Sequence, residues 1–170
     1  KLTYGYGSGS AQVFGAKLAH MGGVKMIHVS YKGGPQALTD VMGGQVSLTF
    51  TDFANGLQQA RAGKVKVYGV STLQRFELAN DLPTLDESGA KGFDLTVWFG
   101  LMGPAALPAT VTQRLNASLS KALQAPALQE RFKSQGLMTM PMSPPEFGGF
   151  VKSEIRKWAD IIQEIGIEPQ

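Results

Sequence analysis

The sequence predicts an α/β fold in which a mainly parallel sheet carries helices on both faces, followed by an all-helical C-terminal segment. Two observations predict this fold. Short β-rich runs alternate with helical patterns through the first part of the chain, and only helical patterns occur after Gly103. A repeated strand–helix order supplies the crossover connections that parallel strands need. We therefore divide the 170 residues into an α/β domain at 1–102 and C-terminal helices at 103–170.

Hydrophobic periodicity places the strands and helices of the α/β domain. The predicted strands cover residues 2–6, 24–31, 46–51 and 65–71. The predicted helices between them cover residues 10–21, 36–42 and 53–62. Alternation is clearest in the third strand, where Val46, Leu48 and Phe50 alternate with polar residues. A short helical turn at 84–88 and a hydrophobic strand at 95–102 complete the predicted domain.

The C-terminal segment is predicted to form three helices. The first carries an apolar stripe of Val111, Leu115, Leu119 and Leu123, and the second begins at Pro126. The third begins at a capping box, with Ser143 as N-cap, Pro144 at the first helical position and Glu146 as the acidic partner. Its apolar stripe recurs at spacings of three and four and consists of Phe147, Val151, Ile155, Trp158, Ile162 and Ile165. A stripe of this kind must pack on another chain, exchange between two copies or fold back onto the α/β part. Self-association of the chain through the C-terminal helices is the outcome we expect.

Composition excludes several classes of function. The chain has 16 Lys and Arg against 13 Asp and Glu, and the net charge of +3 is spread along it, so a nucleic-acid partner is not expected. Cysteine is absent, which excludes disulfides and thiolate chemistry. No apolar run reaches the roughly 20 residues that a membrane span requires. The chain opens without the charged and apolar regions of a signal peptide, so we expect either a cytosolic protein or a mature or truncated form.

The residues after the predicted strands carry the candidate chemistry, because ligands of open parallel sheets bind beyond the carboxyl ends of the strands. These strand ends offer hydroxyl groups, glycine amides and one carboxylate, and they lie at residues 5–10, 31–34, 51–52 and 71–72. A glycine turn before a helix leaves N–H groups uncovered, and such groups hold a carboxylate or phosphate without a metal. The loops at 5–10 and 31–34 are therefore predicted to place two helix N-termini on one edge of the sheet.

Each candidate also has a structural interpretation. Ser10 is a suitable N-cap for the helix that follows it, and its loop matches neither a dinucleotide fingerprint nor a P-loop. Asp52 can receive an ammonium or hydroxyl group, but capping of the next helix is favoured. Thr51 can point into a cleft. Trp98 and Phe99 suit either a core or a wall that packs on ligand methylenes.

Catalysis and metal binding find little support. His20 lies near a helix end and His28 lies within a strand, and neither has a plausible catalytic neighbour in sequence. No metal-ligand spacing occurs, and no cofactor is implied. A nucleophilic Ser8 or Ser10 would need a base and an orienting acid, and the G-x-S-x-G frame is not matched. A small α/β hydrolase using Ser10 stays open as an alternative, to be tested by whether a histidine or carboxylate approaches that hydroxyl.

The chain resembles the Bug-type periplasmic receptors of tripartite tricarboxylate transporters over essentially its whole length. The resemblance is carried by short segments in the family's order, at residues 9–11, 31–33, 37–40, 43–46, 62–64, 82–85, 87–89, 98–101 and 115–116. It implies a periplasmic-binding-protein-like fold and a non-catalytic receptor that takes a dicarboxylate, a tricarboxylate or a related acid. It also implies a periplasmic location and permease subunits as partners. An effector-binding module of a regulator shares the two-lobed architecture and is the third alternative.

The resemblance also implies which residues bind the ligand. These are Ser8, Gly9 and Ser10 in the first loop, Tyr31, Gly33 and Gly34 in the second, Thr51 and Asp52 at the third strand end, and Phe99. A histidine that the family usually carries after the glycine-serine loop is Val13 here. Family members have a first domain before the strand that opens this chain, so we expect the chain to be the C-terminal portion. The helices at 103–170 pack on that first domain in the family.

Overall fold

The computed structural model describes residues 1–167, and the chain forms two compact units. The first unit contains Lys1–Val97 together with the C-terminal stretch from Ile162, and the second contains Trp98–Ile161. Residues 98–102 thus belong to the second unit, together with the C-terminal helices. The end of the last helix belongs to the first unit, together with the α/β part. The predicted division at 102/103 concerns the domains of the family and stays a prediction.

The first unit is built on a three-stranded parallel sheet. Its strands are β1 (Thr3–Tyr6), β2 (Ile27–Ser30) and β3 (Leu48–Thr49), in the order β2-β1-β3. Thr3 pairs with Ile27 and Tyr4 pairs with Leu48, so β1 is the central strand. The crossovers are the helices α1 (Gly9–Met21) and α2 (Gly34–Met42), and α3 (Phe53–Arg61) follows β3. The predicted parallel α/β architecture is confirmed.

Helices cover both faces of β1, because successive residues of a strand point to opposite sides. On one side α1 packs so closely that a side chain at Gly15 would overlap the ring of Tyr4. On the other side a Cβ on Gly5 would lie 3.1 Å from the Cβ of Ala37 in α2. Beyond β3, the ring of Phe14 meets Phe50 edge-on at 5.4 Å, and Phe50 stacks on the fully buried Phe93 at 5.8 Å. These contacts fix α1 and α2 to the central strand.

Two predicted strands are wrong. The segment at 65–71 contributes only an isolated parallel bridge between Val70 and Thr84, and the segment at 95–102 forms no strand in the described part of the chain. The loop after 82 lies against the first segment, since a Cβ on Gly69 would come within 2.8 Å of the Leu85 nitrogen. The second segment is tied by a hydrogen bond from Leu95 N–H to the Ser71 carbonyl, at 2.9 Å. Both segments have the apolar composition of strands, but neither has a neighbour that offers a full ladder.

The C-terminal helices are confirmed as α4 (Ala109–Leu123), α5 (Pro126–Ser134) and α6 (Pro144–Ile165). The predicted capping box opens α6, because Ser143 N–H donates to Glu146 Oε2 at 2.8 Å and Glu146 N–H reaches Ser143 Oγ at 3.5 Å. Within the second unit, Phe147 meets the Trp98 ring edge-on at a centroid distance of 5.9 Å. Among the described residues, no helix is long and apolar enough to cross a membrane.

Candidate functional site

Three helix starts lie at one edge of the first unit's sheet. The strands are parallel, so their carboxyl ends share this edge, and each is followed by a helix. A side chain at Gly7 would overlap the Gly33 carbonyl carbon and the Gly34 nitrogen, and would lie 2.6 Å from the Gly33 Cα. The first two loops are therefore in direct backbone contact. The prediction that they converge on one edge is confirmed.

The first loop is organised by Ser8. Its hydroxyl accepts a hydrogen bond from Ala11 N–H at 3.3 Å, and its carbonyl accepts one from Gln12 N–H at 3.1 Å. The expectation that Ser10 caps this helix is wrong, because the chain already becomes helical at Gly9 and Ser8 holds the extended conformation of an N-cap. The Ser8 and Ser10 hydroxyl oxygens are 3.0 Å apart. Whichever of them donates, one hydroxyl hydrogen of the pair stays free for a ligand.

The second loop is held at both ends. Tyr31 N–H extends the β1–β2 pairing by donating to the Tyr6 carbonyl at 2.9 Å, and Lys32 N–H donates to Gln36 Oε1 at 3.2 Å. Gly33 is the N-cap of α2 and offers no side chain, and Pro35 has no N–H. The N–H groups of Gly33 and Gly34, at the start of α2, therefore have no acceptor within the helix.

The Tyr31 hydroxyl is already engaged. It donates to Asp40 Oδ2 at 2.7 Å. This hydrogen bond raises the pKa of Tyr31 above its ordinary value, with partial burial adding to the effect, because loss of the proton would place two negative charges side by side. A phenol that donates to Asp40 cannot donate the same hydrogen to a ligand carboxylate. Tyr31 stays a predicted site residue, and the contact that its side chain makes in the structure is the hydrogen bond to Asp40 in α2.

The third strand end supplies Thr51 and Asp52. Asp52 caps α3, since its two carboxylate oxygens accept from Asn55 N–H at 3.0 Å and from Asn55 Nδ2 at 2.9 Å. The structural interpretation of Asp52 is thus the one observed. Thr51 Oγ1 is buried and has no hydrogen-bond partner among the described residues. Buried hydroxyls usually have a hydrogen-bond partner, so a ligand or a water is the expected partner of this oxygen at the end of the third strand.

Two other predicted positions belong to other segments of the chain. Thr72 follows the segment at 65–71 that is not a strand, and its hydroxyl donates to the Gln74 carbonyl at 2.6 Å within its own loop. Phe99 belongs to the second unit, where it is 84% exposed. Val13, at the position where the family usually has histidine, is buried at 6% exposure in the core of the first unit. Sequence reasoning missed Gly7 and Asp40, although adjacent glycine loops after neighbouring strands were a usable signal for Gly7.

The described residues do not form a catalytic arrangement around Ser10. Its hydroxyl pairs with Ser8, and no histidine or carboxylate among residues 1–167 hydrogen-bonds to it. His20 lies 3.5 Å from Glu164, and the His28 ring lies 6.0 Å from the Tyr6 ring. No group of three or more possible metal ligands occurs in the part of the chain that the structure describes.

Residues 1–167 match the family described as the tripartite tricarboxylate transporter family receptor. The chain belongs to this family. The family description is that of a receptor rather than an enzyme, which agrees with the expectation of a binding protein without catalysis. The resemblance to Bug-type receptors is confirmed by this match together with the similarity to BugT of Bordetella pertussis and to BugD.

Individual relatives agree with the family. A UPF0065 protein from the TAR-I ttuE-ttuC' intergenic region of Agrobacterium vitis is 36% identical over 149 residues, covering 85% of this chain and 42% of the relative. The structure of the R. palustris protein Rpa4515 with adipate has a TM-score of 0.90 at 26% identity, covering all of this chain and 57% of its own. The periplasmic binding protein BugD has a TM-score of 0.86 at 34% identity, with 99% and 58% covered. MatC from Rhodopseudomonas palustris with bound malate has a TM-score of 0.79 at 27% identity, with 95% and 56% covered.

This tripartite tricarboxylate transporter receptor chain spans about half the length of each of these four relatives. The fold of the matched half is that of periplasmic binding proteins, as predicted.

Proposed function

We propose that this chain supplies one wall of the binding site of an extracytoplasmic receptor for a small carboxylate, such as a dicarboxylate or tricarboxylate. The observation that carries the proposal is the backbone contact of Gly7 with Gly33 and Gly34, which joins two helix N-termini at one sheet edge. Helix N-termini attract anions through their uncovered N–H groups and the helix dipole. Two solved relatives hold adipate and malate, both dicarboxylates.

The donors for the carboxylate are neutral in this proposal. They are the N–H groups of Gly9, Gly33 and Gly34, the free hydroxyl hydrogen of the Ser8–Ser10 pair, and Thr51 Oγ1. Tyr31 and Asp52 lie at the same edge of the sheet. The Tyr31 side chain is hydrogen-bonded to Asp40, and the Asp52 side chain is hydrogen-bonded to Asn55. Hydrogen bonds to an ionised acceptor are about twice as strong as neutral ones, so a few such donors suffice without a metal.

The other parts of the proposal come from the family. The complete receptor is proposed to work in the periplasm and to hand its ligand to membrane permease subunits. A second wall is proposed to come from residues outside this chain. Phe99 of this chain is proposed to pack on ligand methylenes. Since an enclosed ligand buries most of its surface, one wall alone leaves the carboxylate hydrated, and its ordering cost is poorly offset.

Calorimetric titration with adipate and malate tests the proposal on two forms, the 170-residue chain and the complete receptor. The complete receptor is expected to bind one of the two acids well, and the 170-residue chain weakly or not at all. Equal affinities would show that this chain holds the ligand alone. Absence of binding by the complete receptor to any di- or tricarboxylate would overturn the ligand class.

A glycine substitution locates the site within the complete receptor. A Cβ on Gly34 meets nothing within 4 Å, so Gly34→Asp adds a negative charge at the turn without a clash. Affinity for the carboxylate is expected to fall about tenfold or more through like-charge repulsion. Gly148→Asp is the matched control, because Gly148 has equally open surroundings on α6. Unchanged affinity in Gly34→Asp would place the site elsewhere.

A further inference from the structure

Asp40 has no assigned role, yet its carboxylate accepts a hydrogen bond from Tyr31, the residue at which the second loop begins. Tyr31 Oη donates to Asp40 Oδ2 at 2.7 Å, and this pair is partly buried. The two residues are nine positions apart, so the bond joins the residue directly after β2 to the last turn of α2. The bond therefore closes a loop around Lys32, Gly33 and Gly34.

The Tyr31 ring also packs against the central strand β1. A Cβ on Gly5 would lie 3.0 Å from Tyr31 Cε2, so the ring packs on the backbone of the central strand. Since the Tyr31 hydroxyl is fixed by α2 and its ring by β1, the turn that follows has little freedom. Gly33 and Gly34 cannot supply this order themselves, because glycine has the largest backbone freedom of any residue.

We propose that Asp40 is a positioning residue that holds the Tyr31 side chain and thereby presents the Gly33 and Gly34 N–H groups in a fixed geometry to an anionic ligand. The part of this inference that concerns the ligand rests on the proposed function. The role is one of geometry, not of charge. A negative charge near the turn opposes an anion, so the carboxylate is kept for its hydrogen bond in spite of its charge.

Three substitutions separate geometry from charge. Tyr31→Phe removes the donor, and Asp40→Ala removes the acceptor while leaving the Asp40 carbonyl to accept from Gln45 N–H at 2.8 Å. Asp40→Asn removes the charge but keeps an acceptor oxygen for the phenol. Alanine is also a better helix former than aspartate, so loss of α2 is not the expected effect of Asp40→Ala.

The first measurement needs no ligand. Backbone 15N relaxation of the 170-residue chain is expected to show rigid amides at Gly33 and Gly34 in the natural sequence and in Asp40→Asn. Order parameters at these two residues should fall from about 0.85 toward about 0.6 in Tyr31→Phe and Asp40→Ala. Tyr68→Phe is the matched control, because Tyr68 is 62% exposed and lies outside the turn. Unchanged order parameters in Asp40→Ala would overturn the positioning role.

The second measurement is the affinity of the complete receptor for adipate or malate. Tyr31→Phe and Asp40→Ala are each expected to bind about fivefold to tenfold more weakly than the natural sequence. The double variant should bind no more weakly than either single variant, because both remove the same hydrogen bond. Asp40→Asn should bind at least as tightly as the natural sequence. Tighter binding by both Asp40→Ala and Asp40→Asn would show a role of charge alone and overturn the proposal. If the complete receptor binds no carboxylate, the proposed function fails, and the relaxation data still decide whether Asp40 orders the turn.

Discussion

At the scale of single residues, the candidate site depends on glycines whose missing side chains allow backbones to touch. Gly7 is the clearest case, since its Cα faces the backbone of the neighbouring turn. Gly9 and Gly34 differ from it, because a Cβ on either would meet nothing within 4 Å. Glycine is thus required for space at Gly7, whereas a side chain at Gly9 or Gly34 would enter open space.

Gly7→Ala is therefore expected to destabilise the chain by about 2–4 kcal/mol, because the added methyl group meets backbone that cannot rotate away. Urea unfolding measures the change. Gly9→Ala is the matched control and is expected to be neutral or slightly stabilising, since alanine suits the first turn of a helix better than glycine does. Equal stabilities of the two variants would mean that the loops are not in contact in solution.

At the scale of elements, α6 returns to the first unit through its last turn. Lys17 Nζ of α1 lies 2.6 Å from Glu164 Oε1 and 2.7 Å from Oε2, and His20 Nε2 lies 3.5 Å from Oε1. The hydrogen bond from Lys17 lowers the pKa of Glu164, and the charges of Lys17 and His20 act in the same direction. Helix α1 begins at the Ser8 loop and ends at this ion pair, so one helix links the candidate site to the C-terminal stretch.

The lowered pKa of Glu164 predicts a pH dependence of stability. A carboxyl group whose pKa is lower in the folded than in the unfolded state stabilises the fold at neutral pH, and this contribution is lost as the pH falls through the folded-state value. Glu164→Gln should therefore flatten the acidic limb of a stability–pH curve measured by urea unfolding. Gln163→Glu, a neighbouring exposed position, is the control for charge. An unchanged acidic limb in Glu164→Gln would show that the ion pair contributes nothing in solution.

At the scale of the whole molecule, the second unit exposes several large apolar side chains on its helices. On α4 the stripe residues Val111, Leu115 and Leu119 are 41%, 48% and 36% exposed, and on α6 Ile155 is 63% exposed. The stripe of α6 is partly covered within its unit, because Phe147 packs against Trp98 and Phe150. We propose, as the resemblance to the family implies, that these helices pack on a first domain of the complete receptor.

The 170-residue chain by itself is expected to self-associate through these helices. Each large apolar side chain that becomes buried contributes on the order of 1.5–3 kcal/mol. Light scattering over a dilution series should show a mass that rises with concentration, and Ile155→Glu should shift the chain toward monomer. Gln163→Glu adds the same charge to the same helix at a position outside the apolar stripe and serves as the control. A monomer of the natural sequence at all concentrations would contradict this prediction.

The sequence by itself determined the parallel βα order, the three C-terminal helices with the Ser143–Glu146 capping box, the family, and the loops that converge at one sheet edge. These features follow from local periodicity, capping chemistry and chain order, which a single sequence displays. Tertiary structure alone decided that the segments at 65–71 and 95–102 are not strands, because a strand exists only where a neighbour offers its hydrogen bonds. It also decided that Ser8 rather than Ser10 caps α1 and that the Tyr31 hydroxyl donates to Asp40. Packing likewise leaves the buried Thr51 hydroxyl without a hydrogen-bond partner in the described part of the chain. Those outcomes depend on which groups meet in space, and that is set by packing between residues distant in the chain or by the residue at which a helix begins.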